Sequence, residues 1–237
     1  MTDIQVSLFG SATRTHCWSK FFEQFTMNKV KYEIIFAGPV KPDFELPSNV
    51  SFIHIDPDTG PVHCSSAASK MCVGETIMLI ADDTILTPYA LDIMYAKYKE
   101  ENDYKCMIHP RYGFGPESDV TEVNEETHLP GSTYRIGINL LWSRKFFFEL
   151  GGYDNRYSGG AGDCDMQMRA LSQGGRHVYA YGAFAQEDLS YVDNDTFSLL
   201  RAWQRWRGRE DNIFMKQQWY PSGSLLNEPT TPFEPIE

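Results

Sequence analysis

The sequence lacks an excess of positive charge and any long apolar run. Its 237 residues include 21 Lys and Arg against 32 Asp and Glu, which gives a formal net charge of −11. Because an acidic surface repels the phosphates of nucleic acids and anionic lipids, we expect neither as a non-specific partner. No stretch approaches the roughly 18 apolar residues that a membrane span requires.

Cysteine and histidine are also scarce and lack metal-binding spacing. The five cysteines form no C-x-x-C pair, and the six histidines form no H-E-x-x-H motif. We therefore expect reduced thiols in a cytosolic-type compartment and no zinc site. The opening residues MTDIQVSLFGS carry neither a basic region nor a long apolar run, so they do not predict a signal peptide. We expect a cytoplasmic protein, either soluble or peripheral to a membrane.

What the chain does have is an alternation of short apolar runs with helical patterns over its first 110 residues. Several of these runs are apolar on both faces, which is typical of a sheet covered by helices. Between them, Trp18–Phe25 and Val62–Val73 predict helices, and Thr87-Pro88 predicts the cap and first position of a third. This order predicts an α/β fold with a mostly parallel sheet. The predicted strands are Ile4–Phe9, Tyr32–Ala37, Val50–Ile55, Thr76–Ala81 and Lys105–His109.

The second half of the chain is less regular. Residues 110–133 are rich in Gly, Pro and acidic residues and predict a long loop, and the four prolines after residue 220 predict an extended tail. The other predicted elements are a strand at Tyr134–Trp142, a short helix capped by Ser143, a strand at Arg176–Tyr181 and a helix capped by Asp195.

Two adjacent carboxylates, Asp82 and Asp83, follow the apolar run Thr76–Ala81. Like charges repel, and at the end of a core strand they are also partly desolvated. Ligands bind beyond the carboxyl ends of parallel strands, where a hard divalent cation would neutralise such a pair. Asp is also common in ordinary turns, so the pair alone leaves a metal site and a turn open.

A second acidic motif is YSGGAGDCDMQMR, in which three glycines precede Asp163 at the start of a predicted helix, Asp163–Ser172. The helix dipole stabilises a carboxylate there, so an N-cap is the simpler interpretation. The alternative is a general base on a loop that packs closely against a substrate. Asp165 and Arg169 are four residues apart and predict an ion pair along the helix.

The segment SLFGSATRT after the first strand contains small residues and one cation, Arg14. Small residues let a backbone approach a ligand, and Arg14 could meet a phosphate. The segment matches neither a G-x-G-x-x-G motif nor a Walker loop, so a plain turn is the simpler interpretation.

Taken in order, these motifs resemble glycosyltransferase family 2, whose members are inverting enzymes with the A-type glycosyltransferase fold. The resemblance extends from residue 4 to about residue 190. GETIMLIADD matches the family's acidic box, GGYD its Gly-Gly-aromatic-Asp segment, and GDCDMQMR its closing Glu-Asp-x-Asp-x-x-x-Arg motif. Ala81 and Gly162 occupy the positions where the family has Asp and Glu. The segment Phe36–Pro39 lacks the acidic residue with which the family recognises the nucleobase of the donor.

The resemblance implies a Rossmann-like, mostly parallel central sheet flanked by helices, with a mixed acceptor part towards the carboxyl terminus. It implies one domain over residues 1–237, with a nucleotide-sugar half at 1–110, an acceptor and catalytic half at 111–190, and a helix and tail at 191–237. The implied reaction transfers a sugar with inversion from a nucleotide-sugar, by default a UDP-sugar, to a hydroxyl group. The implied acceptor is a glycan, a lipid-linked glycan or another acceptor, and the cofactor is Mn²⁺ or Mg²⁺.

The resemblance also implies roles for individual residues. Asp163 corresponds to the catalytic base and Asp83 to the metal ligand, with Asp82 and Glu187 in support. The implied contacts to the nucleotide-sugar are Phe9, Gly10, Ser11, Arg14, Gly38, Ser66 and Asp82, and the implied acceptor and donor loop residues are Trp142, Gly160 and Gly162.

Two other classes of function remain open from the sequence. A sugar nucleotidyltransferase shares the sheet and the acidic metal ligands, but it usually carries a basic Gly-rich loop where this chain has only Arg14. A non-catalytic carbohydrate-binding relative is favoured by Ala81 and Gly162, where the family's carboxylates are missing.

Overall fold

The computed structural model describes residues 3–56, 58–114, 127–128, 135–136, 139–187, 194–221 and 228–236, with side chains at 3–56, 58–111, 139–186, 207–221 and 228–236. The strands are β1 (Val6–Ser11), β2 (Tyr32–Gly38), β3 (Val50–His54), β4 (Thr76–Leu79), β5 (Thr84–Leu86), β6 (Cys106–Phe114), β7 (Thr127–His128), β8 (Arg135–Ile136), β9 (Leu141–Ser143) and β10 (Arg176–Glu187). The helices are α1 (Trp18–Glu23), α2 (Pro61–Met71), α3 (Ala90–Glu101), α4 (Arg144–Glu149), α5 (Gly162–Ser172) and α6 (Asn194–Trp219).

Over the described residues, eight strands form one sheet in the order β3-β2-β1-β4-β9-β6-β10-β5, and β7 pairs with β8 separately. The pairs β1–β2, β2–β3, β1–β4 and β6–β10 are parallel. Strand β9 lies antiparallel between β4 and β6, and β5 lies antiparallel to β10 at the edge. The predicted mostly parallel α/β sheet is therefore confirmed.

Helices cover both faces of this sheet, because successive strand residues point to opposite sides. Leu8 packs in the core beneath α1 and α3, together with Trp18 and Leu91. Its neighbour Phe9 packs in the other core, beneath α2, α4 and α5, together with Phe147. The strands are apolar on both faces because helices cover both faces of the sheet and form a core on each side.

Strands β6 and β10 are longer than predicted. They pair with each other from Cys106 to His109 and, after a register shift, again up to Phe114. The shift falls opposite Pro110, which lacks the N–H group that a regular ladder needs. The start of the predicted loop 110–133 is therefore strand, and most of the rest of that prediction lies outside the described residues.

The predicted helix caps had different outcomes. Ser143 accepts a hydrogen bond from the backbone N–H of Phe146 at 3.4 Å and caps α4, as predicted. The Thr87 cap was wrong: α3 begins at Ala90, and the Thr87 hydroxyl instead accepts from the backbone N–H of Phe184 at 3.1 Å. That hydrogen bond joins the segment before α3 to β10. The Thr87 hydroxyl, which the local sequence pattern predicted to cap a helix, therefore bonds to a strand instead.

Several of the cysteines are free and buried in the core. Cys64, Cys72 and Cys106 are free and buried. Burial raises the pKa of their thiols to about 11, 12 and 11, respectively, so they pack as small neutral side chains. Within the described ranges, no helix combines the length and the apolar character needed to cross a membrane.

Candidate active site

The first acidic residue of the pair, Asp82, is buried at 1% exposure beneath the loop after β1. Its Oδ2 accepts hydrogen bonds from the backbone N–H groups of Thr13 and Arg14 at 2.9 and 2.7 Å and from the indole N–H of Trp18 at 3.2 Å. Its Oδ1 accepts from the Arg14 guanidinium at 2.5 Å. Both oxygens thus hold the loop after β1 in place.

Arg14 also accounts for the two neighbouring charges. Its second terminal nitrogen lies 2.9 Å from Oδ2 of Asp83, so one guanidinium bridges both carboxylates. The two side chains differ in exposure, at 17% for Asp83 and 1% for Asp82. In this structure, Arg14 supplies the positive charge beside the acidic pair, where a divalent metal ion was expected from the sequence. Asp83 is the more solvent-exposed of the two carboxylates.

A pocket of about 250 Å³ lies beside this acidic pair. Ala81 and Thr84, which flank the two carboxylates, line it, and so does Asp163 from the opposite half of the chain. The two acidic motifs are about 80 positions apart, and the fold brings them to one cavity. The other polar lining residues are Ser11, Ser65, Asn139 and Gln167, and the apolar and aromatic ones include Pro61, Val62, Leu79, Ile80, Leu140, Trp142, Phe147, Tyr153 and Met166.

Asp163 occupies the first turn of α5 and is not its cap. The helix begins at Gly162 after Ala161, which has a left-handed backbone (φ 56°) and makes no capping hydrogen bond. The N-cap interpretation of Asp163 is therefore wrong. The side chain is half-buried at the pocket wall, in the first turn of α5.

Two neutral groups adjoin this carboxylate. Burial raises the pKa of the Tyr153 phenol and of the Cys164 thiol, and the negative charge of Asp163 raises both further. Neither group ionises near neutral pH, so both lie beside Asp163 in their neutral forms.

The Gly-rich loop before α5 is held by a single carboxylate, that of Asp211 in α6. Its Oδ2 accepts hydrogen bonds from the backbone N–H groups of Ser158, Gly159 and Gly160 at 2.9, 2.6 and 2.8 Å. A Cβ on Gly159 would lie 2.8 Å from the backbone nitrogen of Gly208, so glycine permits the close approach of α6. The carboxyl-terminal helix thereby fixes the loop that presents Asp163.

The predicted pair between Asp165 and Arg169 is confirmed, at 2.8 Å and with both side chains buried. Arg169 also donates to the backbone oxygens of Leu150 and Gly152 at 2.6 Å each. Asp165 accepts from the indole N–H of Trp219 at 2.9 Å. This part of the motif therefore connects α5 with α6 and with the segment that follows α4. These contacts stabilise the helix that carries Asp163.

The acidic residue of GGYD also holds structure together. Both oxygens of Asp154 accept from the Arg156 guanidinium, at 2.9 and 2.6 Å. Asp154 Oδ2 further accepts from the backbone N–H of Glu234 at 3.3 Å. The described part of the tail, residues 228–236, is thus bound to this motif.

The remaining predicted site residues lie at different depths. Ser11 and Trp142 line the pocket. Phe9 and Ser66 are buried, whereas Ser65, next to Ser66, lines the pocket and accepts from the Ser11 backbone N–H at 3.1 Å. The predicted glycines permit close packing: a Cβ on Gly10 would lie 2.0 Å from the Ile80 oxygen, one on Gly38 2.1 Å from the Ala12 oxygen, and one on Gly162 2.8 Å from Val62.

Glu187, predicted to support a metal, ends β10. Its backbone pairs with that of Thr84, the residue after Asp83, so the fold brings this position beside the acidic pair. Its side chain lies outside the described residues, and its role stays a prediction.

The site residues that were not predicted include Ser65, Asn139 and Asp211. Asn139 had a signal in the sequence, because it is a single amide within the otherwise apolar run Ile138–Trp142. Asp211 had none, since it lies among charged residues in a helix whose partner, the loop at 158–160, is more than 50 positions away.

The described residues offer a divalent cation few ligands, and Asp83 is the main one. Within the part of the chain that the structure describes, no three His, Cys, Asp or Glu side chains cluster as metal ligands. Asp82 is engaged by four protein donors. Asp83 provides one partly exposed hard oxygen ligand, which suits a Mg²⁺-type ion that takes its other ligands from substrate phosphates.

Comparisons with known proteins identify the fold. No family model matches the sequence, and no curated protein matches it. Among solved structures, a crystal structure of GalNAc-T7 with UDP, GalNAc and Mn²⁺ superposes with a TM-score of 0.67 at 12% identity, covering 93% of this chain and 49% of that one. The chain thus spans about half of the GalNAc-T7 chain.

Crystal structures of S. aureus TarS are also similar. Residues 1–349 of TarS in complex with UDP match with a TM-score of 0.60 at 12% identity, covering 92% of this chain and 73% of that one. The UDP-GlcNAc complex matches with a TM-score of 0.60 at 13% identity, covering 86% and 66%, respectively. The sheet order, the helices on both of its faces and these neighbours agree that the chain has the A-type glycosyltransferase fold.

Proposed function

We propose that this protein is a glycosyltransferase that takes its sugar from a UDP-sugar and transfers it with inversion to an acceptor hydroxyl. The observation that carries the proposal is that Asp163 lines the same pocket as Ala81 and Thr84, the residues that flank Asp82 and Asp83. The solved neighbours support it, since GalNAc-T7 was crystallised with UDP and TarS with UDP or UDP-GlcNAc.

In the proposed reaction, Asp163 takes the proton of the acceptor hydroxyl as its oxygen attacks the anomeric carbon. The bond between that carbon and the diphosphate breaks on the opposite face, so one displacement inverts the configuration. Asp163 is suited to this role because the loop at 158–160 and α5 hold it at the pocket wall. Its neighbours Tyr153 and Cys164 stay neutral and do not compete for the proton.

Asp83 would hold a Mn²⁺ or Mg²⁺ ion, which supplies a positive charge for the leaving diphosphate. Arg14 stands at the same edge and adds a fixed cation there, while Asp82 keeps the Arg14 loop in place. The presence of Mn²⁺ in the GalNAc-T7 structure supports this assignment.

The test is a transfer or donor-hydrolysis assay with UDP-sugars, with and without Mn²⁺, on the wild type, Asp163→Asn and Asp83→Asn. We expect Asp163→Asn to retain donor binding and to lose at least 100-fold in kcat, because a base acts in the transition state. We expect Asp83→Asn to weaken metal-dependent UDP binding. Wild-type turnover in both variants would overturn the proposal.

One observation favours a second candidate, a non-catalytic carbohydrate-binding relative. Asp82 is fully engaged by the protein, and Ala81 and Gly162 stand in place of two carboxylates. Binding of glycans without metal-dependent binding of any UDP-sugar would favour this candidate.

A further inference from the structure

Asn139 brings a buried amide without a partner to the pocket wall. It precedes β9, lines the pocket and is 8% exposed. Its Nδ2 has no hydrogen-bond partner in the described part of the protein. Its backbone is left-handed (φ 56°), a conformation in which asparagine is among the few tolerated side chains.

Such an amide costs stability unless a ligand satisfies it. A buried donor without a partner costs about 1–3 kcal/mol. The pocket also has polar lining residues, but none of those that the structure describes bonds to Nδ2, and Leu140, Trp142 and Phe147 add apolar surface to the same lining. A ligand that fills this pocket must therefore combine apolar surface with a group that pairs with an amide.

We propose that Asn139 recognises the acetamido group of a 2-acetamido sugar, an inference that rests on the proposed function and specifies its donor. The acetamido methyl group would contact the apolar lining, and its carbonyl oxygen would accept from Asn139 Nδ2. A plain hydroxyl oxygen at the same position would also accept from the amide, but it would place its own O–H against apolar walls and would bring no methyl group to cover them. A site built to pair with a polar group rejects an analogue that lacks the group.

The experiment compares kcat/KM for UDP-GlcNAc and UDP-GalNAc with that for UDP-Glc and UDP-Gal, with donor binding followed by calorimetry. The test variant is Asn139→Gly, which removes the amide and keeps the left-handed backbone without strain. The matched control is Asn102→Gly, since Asn102 is also left-handed (φ 47°) but caps α3 at the surface, away from the pocket lining.

We expect the wild type to prefer an acetamido donor by at least tenfold. Asn139→Gly should lose most of that preference and still bind UDP as the wild type does, whereas Asn102→Gly should retain the preference. Equal use of acetamido and plain donors by the wild type, or a preference unchanged in Asn139→Gly, would overturn the inference and leave the proposed function standing. If no UDP-sugar binds to the wild type, the proposed function and the inference fail together.

Discussion

Asp211 accepts a hydrogen bond from the backbone N–H of Gly159 at 2.6 Å, although the two residues are 52 positions apart. The same carboxylate oxygen also accepts from the two neighbouring backbone groups at 158 and 160. A single side chain of the last helix therefore fixes the loop that leads into Asp163. Asp211 thus contributes to the site although it is not among the described residues that line the pocket.

Removing this carboxylate should loosen the loop. Asp211→Ala leaves three backbone N–H groups without their acceptor, so we expect a loss of about 2–4 kcal/mol in the free energy of unfolding. We also expect kcat to fall at least tenfold, because Asp163 lies only three residues beyond the loop. Urea denaturation and the transfer assay measure the two effects.

Glu210→Gln is the control, since Glu210 is exposed and adjacent in the sequence. It should change neither quantity. If Asp211→Ala has the same unfolding midpoint as this control, the loop does not depend on the carboxylate.

The acidic pair should divide into a structural and a ligand-binding member. Asp82→Asn replaces a buried carboxylate that accepts hydrogen bonds from Arg14 and Trp18 with a neutral amide. We therefore expect the free energy of unfolding to fall by about 2–4 kcal/mol. Asp83→Asn changes a more exposed group and should cost less than about 1 kcal/mol. Denaturation in urea at constant pH compares the two variants directly. Similar losses in both would contradict the division.

Two buried histidines should make stability depend on pH. Burial, with a smaller contribution from the charge of His177, lowers the pKa of His109 to about 3, and burial lowers the pKa of His177 to about 4. In the unfolded chain, both bind protons near pH 6.5. Stability should therefore be greatest above pH 6.5 and fall as the pH decreases towards 4, by about 1.4 kcal/mol per pH unit for each histidine.

His109→Phe should reduce that slope, because it removes one of the two groups and keeps a ring beside Tyr179, whose centroid lies 3.7 Å from that of His109. His16→Phe, at an exposed position, should leave the slope unchanged. Urea midpoints measured between pH 4.5 and 7.5 give the slopes. An identical slope in His109→Phe and the wild type would show that this histidine is not buried in its neutral form.

Two glycines with similar backbones should respond differently to alanine. Gly151 (φ 89°) lies against Phe233 of the tail, where a Cβ would come within 2.4 Å of the ring. Gly174 (φ 81°) has open space around it. In both variants, the left-handed backbone should lower the free energy of unfolding by roughly 1–2 kcal/mol. In Gly151→Ala, the clash with Phe233 should lower it by about 1–3 kcal/mol more.

Comparing the unfolding free energies of the two variants isolates the contact between the tail and the GGYD segment. The double variant Gly151→Ala with Phe233→Ala should recover part of the loss. Equal destabilisation at positions 151 and 174 would mean that the tail does not pack there.

The sequence by itself determined the fold class, because runs that are apolar on both faces can be buried only in a sheet covered by helices. It also identified Asp163 and the acidic pair, since their motifs are local. The resemblance to a known family made Asp83 the expected metal ligand and Asp82 its support, but the contacts of Asp82 depend on where the loop carrying Arg14 lies. Only the tertiary structure decided that Arg14 bridges the pair, that Asp211 holds the Gly-rich loop and that Asn139 lines the pocket. Each of these contacts joins segments far apart in the chain, and local patterns of residues contain no information about such distances.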